Sequence, residues 1–417
     1  MIQGHMHDLL SKAQLALKRD LCDHCLGRLF AQVRRGLTNK QRGESLRMAV
    51  ALHSALIGKN IPSHDHCWVC GDLFWELDRF AEAAIKKLSS LEFETFLIGT
   101  KIDPEIVERE ERLWGEVGGE SAEAIKSELN REIGKLVEMK TGKQVDFDSP
   151  DVIAIIDTRF ASVELEISPL FIFGTYRKYS RDIPQTRWIC SVCRGKGCVR
   201  CQFKGKLYQT SVQELIGDPI MRAAGGVDHY FHGMGREDID ARMLGNGRPF
   251  IIEIRKPKKR KLDLPSLEKI INESANGLIE VLNLRMSSRS EVRKIKDATP
   301  DKVYRVEVKI DGKINKEKIN EVVQSLKEIP ITQRTPVRVA HRRADKVRKK
   351  KIIDVHIADM NDENIILIIK AEAGTYIKEF IHGDGGRTKP NFAEALGVPC
   401  EVKSLDVIEI AYDTGEE

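Results

Sequence analysis

No run of about 18 apolar residues occurs in this 417-residue chain, and no amino-terminal succession of basic, apolar and small residues reads as a secretion signal. A spanning helix and an exported protein are therefore unexpected, and a soluble, cytoplasmic protein is expected. Also lacking is a glycine-rich turn between a strand and a helix; Gly225-Gly226 and Gly385-Gly386 are too short to cradle a dinucleotide or a methyl donor. Internal repeats and low-complexity tracts are absent as well. What remains is a globular chain long enough for two or three domains.

Unpaired cysteine is nearly absent. Eight of the nine cysteines form four Cys-x-x-Cys pairs, and only Cys400 is left over, which suits a small buried hydrophobe. A Cys-x-x-Cys turn lets two thiolates reach one ion, so two pairs complete a closed tetrahedral site with no open position for catalysis. Cys22, Cys25, Cys67 and Cys70 form one such set. Cys190, Cys193, Cys198 and Cys201 form a second, compact one, with Gly195 and Gly197 between its pairs. Two structural zinc ions are expected, and no organic cofactor. Disulfides fit poorly with the lack of a secretion signal, and redox use of the pairs leaves no reason for their number. Spacing alone leaves an iron-sulfur cluster open.

Charge is informative once divided. Residues 1 to 160 carry 22 Lys+Arg against 26 Asp+Glu, and residues 161 to 417 carry 46 against 37. Much of the later excess sits in two runs, Arg255-Lys256-Pro257-Lys258-Lys259-Arg260-Lys261 and Arg342-Arg343 with Lys346, Arg348, Lys349, Lys350 and Lys351. Either run alone reads equally well as a solvated loop, but two in one half point to neutralisation of RNA phosphates. In the acidic half, RNA contact would rest on a local patch such as Arg28, Arg34, Arg35 and Lys40.

Periodicity supplies the architecture. Leucines recur helically through residues 8–60, with the first cysteine pair in a break of that pattern. A helix over Leu73 to Leu91, a strand over Phe93 to Ile98, a helix over Ala122 to Met139 capped by Ser121, and a buried strand over Asp151 to Asp157 describe a small α/β layer domain. From Ser168 the pattern changes. Ser211-Val212-Gln213-Glu214 is a capping box for a following helix. Strands at Phe250 to Ile254, Arg305 to Ile310, Ile352 to Ile357 and Ile365 to Lys370, with helices near Leu267 to Glu273 and Lys316 to Lys327, predict a mixed, largely antiparallel sheet flanked by helices. The fold class is α+β, with domains at residues 1–165 and 166–417 and a four-cysteine insert at 188–206.

Chemistry concentrates at Gly235-Arg236-Glu237-Asp238-Ile239-Asp240-Ala241-Arg242, directly after the turn-prone His232-Gly233-Met234-Gly235. A carboxylate kept ionised by guanidinium groups can act as nucleophile or base without metal or cofactor. In isolation the segment reads as a surface ion-pair cluster. Two further stretches change that weighing: Lys302-Val303-Tyr304-Arg305, opening an apolar strand, and Gly374-Thr375-Tyr376-Ile377-Lys378.

In this order, the three segments resemble the first, second and third motifs of the pseudouridine synthases, with Arg236 and Asp238 on the arginine and aspartate of the first. Lys378 stands where the third motif has arginine, which keeps the charge but not the bidentate fork. Phe173-Gly174-Thr175-Tyr176-Arg177-Lys178-Tyr179-Ser180-Arg181-Asp182-Ile183-Pro184-Gln185 and Phe380-Ile381-His382-Gly383-Asp384 resemble the archaeal and eukaryotic tRNA pseudouridine synthase family numbered ten in its naming series. The amino-terminal half is similar to THUMP-like RNA-binding domains of tRNA-modifying enzymes.

The resemblance implies isomerisation of uridine at positions 54 and 55 of the TΨC arm of tRNA, with no obligate protein partner and no membrane. It implies catalytic roles for Asp238, Arg236, Tyr304 and Lys378, and substrate contacts from Tyr304, Tyr376, Arg177 and Arg181. Arg236 and Lys378 would keep Asp238 charged, and Tyr304 would offer a stacking face and a hydroxyl near the C5 proton of a flipped-out base. Two other classes stay open on residues alone: an RNA-binding module with an inert acidic loop, and a THUMP-bearing methyltransferase, which the missing glycine-rich turn disfavours.

Overall fold

The structure is a computed structural model that describes residues 2–33, 36–56, 66–312, 316–341, 343–361 and 364–412. The chain divides into two compact units, Met1–Ser168 with Lys258–Arg260, and Pro169–Pro257 with Lys261–Glu417.

The first unit runs α1 (Ile2–Ala16), α2 (Asp23–Arg28), α3 (Asn39–Leu56), α4 (Leu77–Leu88), β1 (Thr95–Lys101), α5 (Pro104–Val117), α6 (Ile125–Thr141), β2 (Gln144–Val145), β3 (Val152–Asp157) and β4 (Ser162–Ile167). Its sheet has the order β2-β1-β3-β4, parallel except for the β3–β4 pair. Phe80, Ala84 and Leu88 of α4 pack with Leu129, Ile133 and Val137 of α6 and with Phe96, Ile98 and Ile156 of the sheet, which gives this acidic unit its apolar core.

Two expected boundaries moved. Ser121 does not cap α6; Ala124 occupies that position without a side-chain cap, and the chain enters the helix later. A short 3-10 turn at Leu73–Trp75 precedes α4, because Asp72 adopts a left-handed backbone conformation there. Helix α5, unforeseen, carries a plain start signal: Asp103 accepts from the Glu105 N–H at 3.0 Å, and Pro104 is its first residue.

The second unit comprises β5 (Leu170–Lys178), α7 (Val212–Ala224), β6 (Asp228–Gly233), β7 (Arg242–Arg255), α8 (Leu264–Ser274), β8 (Ile279–Ser287), α9 (Arg289–Asp297), β9 (Lys302–Ile310), α10 (Lys316–Ser325), β10 (Ile329–Arg334), β11 (Val347–Met360), β12 (Asn364–Ala371), α11 (Ile377–His382), β13 (Thr388–Lys389), α12 (Phe392–Leu396) and β14 (Cys400–Ile410). Of the expected capping box the N-cap half forms, the Ser211 hydroxyl accepting from the Glu214 N–H at 3.2 Å, while the Glu214 carboxylate accepts from the Ser211 hydroxyl and Lys206 rather than from the Ser211 N–H. The sheet runs β13-β10-β11-β12-β9-β14-β7-β5-β8, with β6 paired to β7. Among the described residues every pairing is antiparallel except β14 with β7, where Asp406 lies opposite Arg242 and Val407 opposite Met243. This parallel junction joins the two halves of the sheet, so three strands meet at its centre. Tyr304 of β9 pairs with Ile369 on one side and Val407 on the other.

Candidate active site

A cleft of about 630 Å³ opens over that central junction. Four stretches line it: the loop between β6 and β7, the start of β9, the turn after β10, and the segment leading into α11.

The first loop is folded by a buried charge network. Gly235 has φ +75°, and a Cβ there would lie 3.2 Å from both Arg248 Nη1 and Lys302 Nζ. Beyond it Glu237 turns inward. Its carboxylate accepts from Tyr176 Oη at 2.8 and 2.9 Å and pairs with Arg248 Nε at 2.9 Å; Arg248 and Tyr176 are fully buried. Gln185 Nε2 donates to the Gly235 carbonyl at 3.1 Å, and Arg248 Nη1 to the Met234 carbonyl at 2.6 Å. The buried Lys178 ammonium donates to main-chain carbonyls of Ile183 (3.1 Å), Asp238 (3.4 Å) and Ile239 (2.7 Å), and burial pushes its pKa down. With Glu237 and Lys178 drawn inward, Asp238 faces the cleft, its side chain 26 % exposed.

Asp238 is held by a residue that none of the motifs contains. Arg338, on the turn Val337–Val339 after β10, donates from Nη1 to Asp238 Oδ1 at 2.9 Å and lies 2.8 Å from Oδ2. Its Nε is 2.6 Å from Glu379 Oε1 on α11, a carboxylate with 1 % of its side chain exposed. Burial lowers the Arg338 pKa, but the Glu379 and Asp238 carboxylates outweigh it and leave the guanidinium more firmly charged than usual. The preceding α11 position faces the same loop: Lys378 Nζ lies 2.6 Å from Asp240 Oδ2 and 3.9 Å from Asp238 Oδ2. The close pairing expected between Lys378 and Asp238 is thus replaced: Arg338 grips Asp238, and Lys378 grips Asp240. Burial raises the Asp240 pKa, and the Lys378 hydrogen bond brings it below its ordinary value.

Tyr304 lines the cleft from β9 with 8 % exposure. Burial, aided by Asp238 and opposed by Arg248, pushes its pKa up to about 12. Lys302, two residues earlier and also lining the cleft, has its pKa pushed down to about 8 by burial and by Arg248. Tyr376 also lines the cleft; the Gln333 side chain fixes its backbone through a carbonyl accepting at 2.9 Å and an amide donating at 2.9 Å, and Arg343 Nη1 lies 3.4 Å from its hydroxyl.

Several expected residues sit elsewhere. Arg236 lines the cleft, but its guanidinium lies over the Trp188 ring, 5.4 Å from the centroid. Arg177 does not line the cleft; it pairs with Glu280 at 2.9 Å and donates to the Gly245 carbonyl. Arg181 braces the loop from behind, donating to the carbonyls of Asp240 (2.8 Å) and Leu405 (3.1 Å) and to the buried Asp406 (2.6 Å), which also binds Arg242. Both arginines are engaged in holding the fold. Arg28, read as part of an RNA-facing patch, is 1 % exposed and paired with Glu110 at 3.3 Å; Arg34 and Arg35 lie outside the described residues, and Lys40 is exposed. In the first basic run Arg260 is used internally, its Nη2 donating to the Asp151 carbonyl at 2.9 Å. In the second, Arg342 lies outside the described residues.

Both cysteine sets converge. In each, four sulfurs lie within 4.8 Å of one another, and all nine cysteines are free of disulfides. The Cys22–Cys70 sulfurs are 3.7 Å apart, and those of Cys190–Cys198, Cys193–Cys201 and Cys198–Cys201 are 3.8, 3.7 and 3.8 Å apart. A tetrahedral ion with metal-sulfur bonds of about 2.3 Å requires sulfur separations of roughly 3.8 Å, so the residues present fit a metal such as zinc. Main-chain N–H groups of Gly197, Cys198 and Gly205, each 3.2 Å from a sulfur, stabilise thiolate charge in the second set. Gly27 and Gly43 let α2 approach α3 beside the first, where a Cβ would collide with main-chain oxygen.

Comparison with known proteins agrees over nearly the whole chain. The profile described as "Pus10, C-terminal" matches residues 171–411, and "Pus10 THUMP domain, archaeal" matches residues 80–157. Relatives named tRNA pseudouridine synthase Pus10 include one from Methanothermobacter marburgensis, 44% identical over 94% of this chain and 95% of its own length. Another, from Methanothrix thermoacetophila, is 39% identical over 97% of this chain and 94% of its own, and one from Pyrococcus furiosus is 40% identical over 97% and 98%.

Proposed function

The chain belongs to the Pus10 family of tRNA pseudouridine synthases, and from that premise we propose that it isomerises uridine 54 and uridine 55 in the TΨC arm of tRNA with Asp238 as the catalytic carboxylate. The reaction breaks an N-glycosidic bond, turns the uracil and rejoins it to the same ribose through C5, so it needs no redox carrier. A stacked uridine cannot reach a carboxylate in a cleft, and the target nucleotide must first swing out.

One observation carries this reading: Asp238, Tyr304 and Lys378, drawn from three distant stretches, line a single cleft large enough for a nucleotide. Asp238 engages the ribose, by addition or by proton removal, and both routes need it ionised. Arg338 supplies a fixed positive charge 2.8 Å from the carboxylate, in place before the reaction begins. Tyr304, a neutral phenol whose ionisation burial pushes further up, offers a flat face for uracil. Arg343, together with Lys302 in its cationic form below about pH 8, suits the phosphates flanking the flipped residue. The two four-cysteine sets hold zinc, which fixes local structure and takes no part in the chemistry.

The test is incubation with an unmodified tRNA transcript followed by position-by-position pseudouridine mapping. Modification at 54 and 55 is expected. Modification confined to another arm of the tRNA would overturn the positional assignment, and none on any tRNA would overturn the activity.

A further inference from the structure

The four-cysteine insert carries a surface with no role inside its own fold. Its chain leaves the cleft rim at Trp188, which lines the cleft, and returns at Leu207, whose N–H donates to the Trp188 carbonyl at 2.9 Å. Tyr208 closes the base edge-on against Trp188, with centroids 5.4 Å apart, and Lys206 anchors it to Glu214 of α7 at 2.5 Å. Cys190 and Cys201 are buried, so the cysteine cluster forms the interior.

Apolar side chains of the insert point outward instead. Val199 is 81% exposed, Phe203 75% and Val192 61%, so three large apolar side chains of this short insert stand in solvent. Around them Arg194, Lys196, Arg200 and Lys204 are all exposed, and no Asp or Glu occurs between Trp188 and Gln213 to neutralise them. Unlike Lys206, these four cations enter no ion pair among the described residues.

We propose that this insert is a docking surface for an unpaired strand of the substrate RNA beside the flipped uridine, with Arg194, Lys196, Arg200 and Lys204 on phosphates and Phe203 and Val199 against a base. Four exposed cations with no acidic neighbour in the insert match a polyanion, and an exposed aromatic ring among them matches a base face, which every unpaired nucleotide presents. A protein partner would call for a less uniformly basic apolar surface. Through Trp188, stacked under Arg236 on the cleft wall, RNA held on the insert is continuous with the site of chemistry. This inference rests on tRNA being the substrate.

The experiment uses the full-length protein and unmodified tRNA transcript, with binding measured across a series of KCl concentrations. Substituting Arg194, Lys196, Arg200 and Lys204 together by alanine should weaken tRNA binding at least tenfold near 0.1 M salt. It should also flatten the slope of log affinity against log salt by about three to four, at roughly 0.7–0.9 for each of the four phosphates no longer neutralised. Phe203→Ala should weaken binding by about fivefold or more with an unchanged salt slope, and Phe203→Trp should restore it. The rate at saturating tRNA should stay at the wild-type value in all three, and metal content should be unchanged. Wild-type affinity and salt slope in the quadruple variant would overturn the proposal, as would a loss of rate at saturation with affinity intact. If the wild-type protein binds tRNA yet forms no pseudouridine, the catalytic reading fails while the affinities still decide the role of the insert.

Discussion

Arg338 reaches both carboxylate oxygens of Asp238 from a single nitrogen, at 2.9 and 2.8 Å, while its Nε is tied 2.6 Å away to the buried Glu379. The guanidinium is thereby fixed between one carboxylate that faces the cleft and one that is buried. Arg338→Ala should lower the maximal rate by on the order of 10²-fold, in line with the loss of one preorganised charged donor, and Arg338→Lys should recover part of it. Because Glu379 is then left buried without its partner, the alanine variant should also lose about 3 kcal/mol of stability by urea unfolding. Wild-type turnover in Arg338→Ala would remove this residue from the site.

Lys178 acts from beneath the loop. Its ammonium donates to main-chain carbonyls, two of them at Asp238 and Ile239, so Lys178→Met leaves those carbonyls buried and unsatisfied. We expect a fall in kcat of about tenfold or more at unchanged tRNA affinity, because the change moves Asp238 without touching RNA. An equal loss of affinity would contradict a positioning role.

The buried pair Glu237–Arg248 makes a sharper stability prediction. Glu237→Gln removes the charge that compensates an arginine 1% exposed, which costs about 3–5 kcal/mol, read as a shift of the denaturation midpoint. A shift under about 1 kcal/mol would show that Arg248 finds other compensation.

Lys302 sets a pH dependence. Its folded-state pKa, about 8, lies below the ordinary 10.5, so between those values the unfolded chain binds more protons and stability rises with pH. Measured as the difference between wild type and Lys302→Met, which cancels other titrations, the gain from about pH 7.5 to 10.5 should be about 2–3 kcal/mol after discounting for residual solvent. A flat difference would place the ammonium in water.

Much of the candidate site could be read from the chain before it folded. Asp238, Tyr304 and Lys378 stand in recognisable local contexts, and four Cys-x-x-Cys pairs announce two closed sites by spacing alone. Strands such as Val152–Asp157, β-branched and alternating in burial, were equally legible. Arg338 was not, since it sits 100 residues from Asp238 in a turn whose only mark is Thr335-Pro336, and the antiparallel pairing of β10 with β11 is what brings it round. The same limit misassigned Arg28. One arginine among several looks like surface charge until Glu110, far along the chain, is seen to pair with it in the interior.

Metal removal separates the two cysteine sets. Two zinc equivalents per chain are expected, and Cys67→Ser and Cys193→Ser should each lose one. Cys67→Ser should destabilise the first unit, whose core includes all four of its cluster's cysteines, whereas Cys193→Ser should leave it intact. Iron in place of zinc would change the metal assigned, and a single equivalent would remove one site.

The decisive measurement is single-turnover pseudouridine formation on unmodified tRNA by Asp238→Asn, an isosteric change that keeps the loop and its supports. No product is expected at position 54 or 55, with tRNA affinity within a few-fold of wild type. Product formed at the wild-type rate would contradict the catalytic role of Asp238.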